Sequence, residues 1–495
     1  MAFSKIIFAE CSKFGKMSTL KKNLAYQTVY QLISTCLPLI TSPYLARALG
    51  ATQQGVFSYT QSIVNYFTLF AMLGVVNYGT RTIASISSDK NQRSICFWSI
   101  YLFQFFLSLI STVVYFLYLF LICKDNWCIA CIQGLYILGA LLDINWLFFG
   151  VEKFEITVKR SLIIRLISLI AILLFVNRPE DLWVYTMIMA GGTVFSNAVL
   201  WRFVPSIIEI SSIKQVSISS IKQHIKPNIV LFIPLMAMSV YHVMDKTMLG
   251  LLSSYTQTGY YYNADKVINI PISIINGVGT VMLPRMSALA EAGNDEESEK
   301  IFKLSIEMIV LVSTAIAFGI ASISKEFTPF FFGTGFDPCI NLIIVLAPVL
   351  ILKSLSQTSR MQYLIPKRKE NIFIQSVIAG AIINFIVNLC LISRFGALGA
   401  VIGTLSAEFV TFLWQYFKMN RHISIWVTVI GSLIYLIFGL IMFGVVRLFA
   451  LFLPDGIIGI SLEIVVGAVV YICLCIGMWN ATKHPFLNII KELKR

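Results

Sequence analysis

Several ionisable residues interrupt runs of sequence that are otherwise apolar enough for hydrocarbon. Asp143 lies in L-L-D-I-N-W-L-F-F-G, and His242, Asp245 and Lys246 lie in Y-H-V-M-D-K-T-M-L-G. Asp265 and Lys266 follow in Y-Y-N-A-D-K-V-I, Lys353 and Glu408 occupy later runs, and Arg47 closes the first, L-P-L-I-T-S-P-Y-L-A-R-A-L-G. A charge at a bilayer centre costs at least about 2.5–3.5 kcal/mol on insertion scales, so each group needs water, a partner or a cargo. The cations Arg47, Lys246, Lys266 and Lys353 could compensate an anionic cargo, since a diphosphate brings ~2 negative charges that guanidinium and ammonium groups match. The carboxylates Asp143, Asp245, Asp265 and Glu408, with His242, could couple such a cargo to protons or cations such as Na+. The alternative is interhelical ion pairing that only holds a bundle together, Asp143 with Lys353 or Asp265 with Lys246. His242 shares a helix face with both Asp245 and Lys246. Asp245 and Lys246 point about 100° apart and cannot pair with each other.

These residues must be carried by helices. The 495-residue chain is 57% hydrophobic and 13% charged, against roughly 25% charged in a soluble domain. Apolar runs of about 20 residues recur along its length, each able to cross ~30 Å of hydrocarbon, and backbone hydrogen bonding in lipid forces them to be helical. The expectation is an all-α polytopic membrane protein with about fourteen spans: 24–46, 56–80, 95–122, 128–150, 161–177, 182–203, 228–252, 259–284, 302–324, 338–360, 371–393, 397–417, 424–449 and 457–479. The division that follows is a cytoplasmic segment 1–23, an N-lobe 24–203, a cytoplasmic linker 204–227, a C-lobe 228–417, a last helix pair in 418–480 and a cytoplasmic tail 481–495. With both termini in the cytoplasm, 29 of the 38 basic residues fall inside. Arg47, Lys124, Arg178, Lys325, Arg394 and Arg447 fall outside, and Lys246, Lys266 and Lys353 within spans. One lost span would invert every later loop, so this asymmetry supports the even count. The net charge of +14 is then topogenic, and its dispersal over many loops argues against nucleic-acid binding.

The two halves carry a repeat. G-V-F-S-Y-T-Q-S-I-V from Gly55 corresponds to G-Y-Y-Y-N-A-D-K-V-I from Gly259; both follow a proline-containing span ending in Leu-Gly, and both lead to an arginine, Arg81 and Arg285, at the same distance. The spacing of Asp143 to Lys159 matches that of Lys353 to Lys369. Halves repeated after an even number of spans have parallel topology, related by an axis along the membrane normal, as in two-lobed secondary transporters. Pro38 and Pro43 in the first span, and Pro234 in the seventh, remove backbone donors and bend helices. Such bends suit alternating access, or are static kinks that fit the bundle.

Other features carry less. The ten cysteines are scattered, and the lone C-x-x-C of Cys128 and Cys131 reads as packing. Asn384 and Asn388, one turn apart, read as interhelical hydrogen bonders. The acidic 291–300 reads as a solvated cytoplasmic turn and the aromatic 326–333 as interfacial packing. No G-x-S-x-G, H-E-x-x-H or Walker A motif occurs, so neither a hydrolase centre, a metal site nor direct ATP use is indicated, and no cofactor is expected. The opening apolar stretch is too short for a signal peptide; it could lie on the membrane surface, or Met17 could be the working start.

The stretches L-P-L-I-T-S-P-Y-L-A-R-A-L-G-A-T-Q-Q-G-V-F-S, D-K-T-M-L-G-L-L-S-S-Y-T-Q-T-G-Y-Y-Y-N-A-D-K-V-I, V-M-L-P-R-M-S, D-I-N-W-L-F-F-G-V-E-K-F and R-F-G-A-L-G-A-V-I-G-T resemble the Wzx-type O-antigen and polysaccharide flippases of the multidrug/oligosaccharidyl-lipid/polysaccharide superfamily. The likeness runs from about Lys21 to Lys418. It implies two six-helix lobes around a cationic cavity, and transport of an undecaprenyl-diphosphate-linked oligosaccharide across the bacterial inner membrane. Membrane lipids and other polysaccharide-assembly membrane proteins would be its neighbours. The last helix pair departs from the family's common twelve spans; peptidoglycan-precursor flippases of the same superfamily have fourteen. An ion-coupled multidrug antiporter is the rival within the superfamily, and would favour an acidic, aromatic cavity. A membrane polysaccharide polymerase or O-acyltransferase would favour a large external loop bearing acids and His.

Overall fold

A computed structural model describes residues 18–86, 89–421, 423–454, 456–484 and 486. The expectations for residues 1–17, a start at Met17 among them, and for the tail beyond 486 lie outside these. The described residues form helices and no strand. In the first half they are α1 (Ser18–Met72), α2 (Val75–Ser85), α3 (Lys90–Leu121), α4 (Trp127–Gln133), α5 (Leu135–Leu141), α6 (Asn145–Gly150), α7 (Phe154–Phe175) and α8 (Leu182–Leu200). A short α9 (Ile218–Lys222) lies in the linker. The second half holds α10 (Ile225–Leu252), α11 (Tyr255–Glu291), α12 (Asp295–Phe332), α13 (Pro338–Ser359), α14 (Glu370–Phe395) and α15 (Ala397–Asn420), followed by α16 (Ile425–Ser432), α17 (Ile434–Phe449) and α18 (Ile457–Thr482).

Eleven stretches among the described residues are long and apolar enough to cross a membrane. This differs from fourteen for identifiable reasons. The first stretch, Leu37–Ser85, runs 49 residues and takes in two expected spans, although Gly50 (φ 70°) turns the chain inside α1 and Gly74 (φ 79°) separates α2. Neither α7 nor α10 is among the eleven; α7 carries Lys159, Arg160 and Arg165. The backbone of α1 stays helical at Pro38 and Pro43, and its departure from helical φ/ψ falls at Gly50. Glycine takes positive φ without steric cost, which the prolines cannot.

Helix starts follow local chemistry. Asp89 accepts from the amides of Asn91 and Gln92 at α3, Ser254 accepts from Gln257 at α11, and Asn294 accepts from Glu297 at α12, whose first turn is acidic. Each satisfies helix-end donors, and the acids complement the helix dipole. Large apolar side chains face outward, Phe120, Leu121, Leu451 and Phe452 being more than two-thirds exposed, as suits a surface solvated by lipid.

The cores divide by half. The buried residues of one run from Met248 to Phe486 with Ala46 from the first half, and those of three smaller ones lie within residues 45–208. The halves meet in a reciprocal contact. A Cβ on Gly55 would sit 1.7 Å from the Tyr255 carbonyl oxygen, and one on Gly259 would sit 1.9 Å from that of Ala51. Thr52 and Thr256, 204 positions apart, share a hydrogen bond of 2.8 Å between them. Ala51 and Tyr255, and Gly55 and Gly259, are separated by the same offset, so the repeat packs on itself about its own axis as a two-fold interface does.

Candidate functional site

Two connected spaces of about 490 and about 570 Å³ lie between the halves and share Asp143, Thr193 and Asn197. Their floor is the break between α5 and α6. There Asp143 accepts from the Asn145 backbone amide (2.9 Å) and from its side-chain amide (2.7 Å). Arg160 of α7 donates to Asn145 Oδ1 at 3.1 Å, to the Ser196 carbonyl at 2.7 Å and to Asn197 Oδ1 at 3.3 Å. Asp143 is thus linked to Arg160 through Asn145. The Asp143–Lys353 pairing that an assembly role would give is not formed.

Farther along α7, Ser161, Arg165 and Ser168 line the larger space, and from the other half α11 contributes Tyr262 and Lys266. The Lys266 ammonium lies 4.0 Å from the centre of the Tyr262 ring, and Lys246 lies 5.5 Å from the same ring. Lys246 Nζ is 3.3 Å from Asp265 Oδ2, with both side chains about one-quarter exposed. Asp265 Oδ1 accepts from Asn269 at 2.6 Å, whose own Oδ1 accepts from Lys353 at 3.2 Å. Lys246 and Lys353 are thus joined through Asp265 and Asn269, while Lys246 and Lys266 share the Tyr262 ring. The Lys246–Asp265 pair of the assembly reading does form, with both side chains partly exposed, and a partly exposed ion pair adds little stability.

The remaining expected residues separate from this cluster. Asp245 turns into the second half, as its angle to Lys246 requires. Its Oδ1 accepts from Asn384 (2.9 Å) and Asn388 (2.6 Å), and its Oδ2 from Tyr261 (2.6 Å) and Thr404 (2.8 Å). The two asparagines are interhelical hydrogen bonders as expected, and Asn388 Oδ1 is buried with no protein donor. Glu408 is 4% exposed within the same half. Arg47 is not in the cavity: it donates to the Phe330 carbonyl at 2.7 Å and packs on Gly333, tying the halves at the Gly55 end. Pro38 lines the cavity. The side chains of His242 and Pro234 lie outside those described; both residues fall within α10.

Arg160, Arg165 and Tyr262 are the residues sequence reasoning missed. The signal was present in the stripe Ser161, Arg165, Ser168, spaced four and three residues apart so that one face of an apolar helix is polar. On both sides of the smaller space α1 and α2 make contacts between the halves with α10 and the residue before it. Ser62 and Thr247 are 2.8 Å apart, Phe70 meets Phe232, and Tyr78 pairs with His224 at 2.7 Å. Burial holds the His224 imidazole below its ordinary pKa, so the ring is neutral near pH 7.

The fold is shared with solved transporters. A structure described as "Lipid II flippase MurJ, inward closed conformation" superposes with a TM-score of 0.76 over 92% of this chain and 99% of that one, at 13% identity. An inward-facing multidrug resistance MATE family transporter of the MOP superfamily gives 0.60 over 80% and 98%, at 14% identity. The charged cavity between two repeated halves is therefore carried on the multi-pass helical fold of solved membrane transporters. In sequence the chain is 23% identical over 411 residues to a protein of Escherichia coli (strain K12) named "Putative O-antigen transporter", covering 82% of this chain and 98% of that one. The sequence profile of the family described as "Polysaccharide biosynthesis protein" matches residues 20–290, more than half of the chain, and the chain belongs to that family.

Proposed function

We propose that this protein is a flippase for an undecaprenyl-diphosphate-linked oligosaccharide, an O-antigen or related repeat unit, moving it from the cytoplasmic to the periplasmic leaflet of the bacterial inner membrane by alternating access. The observation that carries the reading is the gathering of cations from both halves on one cavity: Arg160 and Arg165 from α7 and Lys266 from α11, with Lys246 on the same Tyr262 ring as Lys266. An anionic diphosphate offsets that excess of positive charge, while the sugars occupy the polar part of the cavity and the prenyl tail leaves through a lateral gap. The multidrug antiporter shares the fold but gains nothing from this charge. With both termini cytoplasmic, the Gly55–Gly259 contact faces the periplasm and the cavity is shut on that side. The lobes would then be 24–203 and 228–417, joined by the linker 204–227 and followed by the pair in 418–480.

Asp245 is the coupling residue in this reading, since it is a buried carboxylate held only by neutral donors, two amides and two hydroxyls, and its charge is left for a proton or Na+ to neutralise. Removing cavity cations tests the transport reading. Lys266→Gln and Arg165→Gln are expected to insert normally and to lower surface polysaccharide at least about tenfold, one charge-assisted contact being worth roughly 1.5–3 kcal/mol. Wild-type polysaccharide in both variants would refute charge compensation in this cavity.

A further inference from the structure

On the outer surface of the second half, away from the central cavity, α12 and α18 enclose a groove of about 380 Å³. It continues into a second space of about 230 Å³ that shares Ala315, Ile316, Tyr471 and Ile472. Its walls are apolar and its width comes from small residues. A Cβ on Gly319 would meet nothing within 4 Å, and Gly467 and Ala468 line the facing helix. The flanking Ile464 and Ile472 are each 53% exposed, so the groove opens toward lipid.

One lining group is out of place there. Glu463 of α18 lines the groove, is 2% exposed, and its Oε2 has no hydrogen-bond partner. The nearby cation is already engaged: Arg447 Nη1 donates to Glu326 Oε2 at 2.7 Å and to the Ser322 carbonyl at 2.9 Å. Two carboxylates thus face one guanidinium, and a buried carboxylate oxygen without a donor is strongly unfavourable. What would satisfy it is a hydrogen-bonding cation attached to an apolar chain. We propose that this groove binds a membrane phospholipid with a primary-amine headgroup, the ammonium pairing with Glu463 and an acyl chain lying between α12 and α18. A headgroup that is only anionic would add like charge beside Glu326 and Glu463. The proposal does not depend on what the central cavity carries.

Lipid retention by the full chain tests it. The purified protein is titrated with phosphatidylethanolamine, phosphatidylcholine or phosphatidylglycerol of identical acyl chains, and bound lipid is counted by native mass spectrometry. Phosphatidylethanolamine is expected to be retained at least about tenfold better than phosphatidylglycerol, and better than phosphatidylcholine, whose quaternary ammonium has no N–H. Glu463→Gln is expected to erase the preference. Gly319→Leu, which keeps the carboxylate but fills the groove, is expected to reduce retention of all three lipids. Equal retention of the lipids by the wild type, meaning a carboxyl that is simply protonated, would overturn the proposal. So would a preference that survives Glu463→Gln, or retention unchanged by Gly319→Leu.

Discussion

At the scale of single residues, the same expense that makes a charge conspicuous in an apolar run says nothing about how it is settled. Lys266 settles it at the cavity against Tyr262, and Lys246 and Lys353 settle it on Asp265 and Asn269. Asp245 settles it with neutral donors from Asn384, Asn388, Tyr261 and Thr404. Asp245→Asn leaves the asparagine amides facing an amide that can itself donate, an expected loss of roughly 1–3 kcal/mol in stability. The variant should still insert and still bind the lipid-linked cargo, yet transport in proteoliposomes should no longer respond to an imposed proton or sodium gradient. A response equal to wild type would remove Asp245 from coupling. Lys246, Lys266 and Lys353 were legible from sequence because ammonium in hydrocarbon stands out. Arg160, near the start of α7, was not, because a basic residue there is explained equally well by topology; Arg165, midway along α7, left a signal only in the polar stripe it forms with Ser161 and Ser168. Arg47 stood out but could not be placed, since its partner, the Phe330 carbonyl, lies in the other half of the chain and carries no side-chain signature.

At the scale of elements, the glycines and the prolines divide the labour differently from the sequence reading. The backbone of α1 breaks at Gly50, and the lobes approach most closely where Gly55 and Gly259 present no side chain. The repeat was legible as matching sequence; that its matching residues are the contact was not, because sequence similarity records equivalence and not adjacency. Gly259→Ala places a methyl group 1.9 Å from the Ala51 carbonyl oxygen, so the halves must part at this end. In a cysteine-depleted background, the pair Thr52→Cys and Thr256→Cys should form a disulfide readily. Adding Gly259→Ala should slow its formation at least several-fold and expose the cavity to reagents from the side that the Gly55 contact closes. Equal cross-linking with and without the alanine would show that this contact does not hold the gate.

At the scale of the whole molecule, the all-helical, multi-pass architecture was legible because hydrocarbon permits few alternatives. The separation of the cores by half, with a self-matching contact at one end, is the arrangement that the proposed rocking of the halves would use. Between them lies a cavity whose cations come from both. The central claim is that these cations hold the diphosphate of a lipid-linked cargo. Retention of undecaprenyl diphosphate by the purified chain, compared with uncharged undecaprenol, tests it most directly. The diphosphate is expected to bind at least about tenfold better, and Lys266→Gln combined with Arg165→Gln to remove the difference. Equal binding of the two lipids by the wild type, or a preference left intact by the double variant, would contradict it.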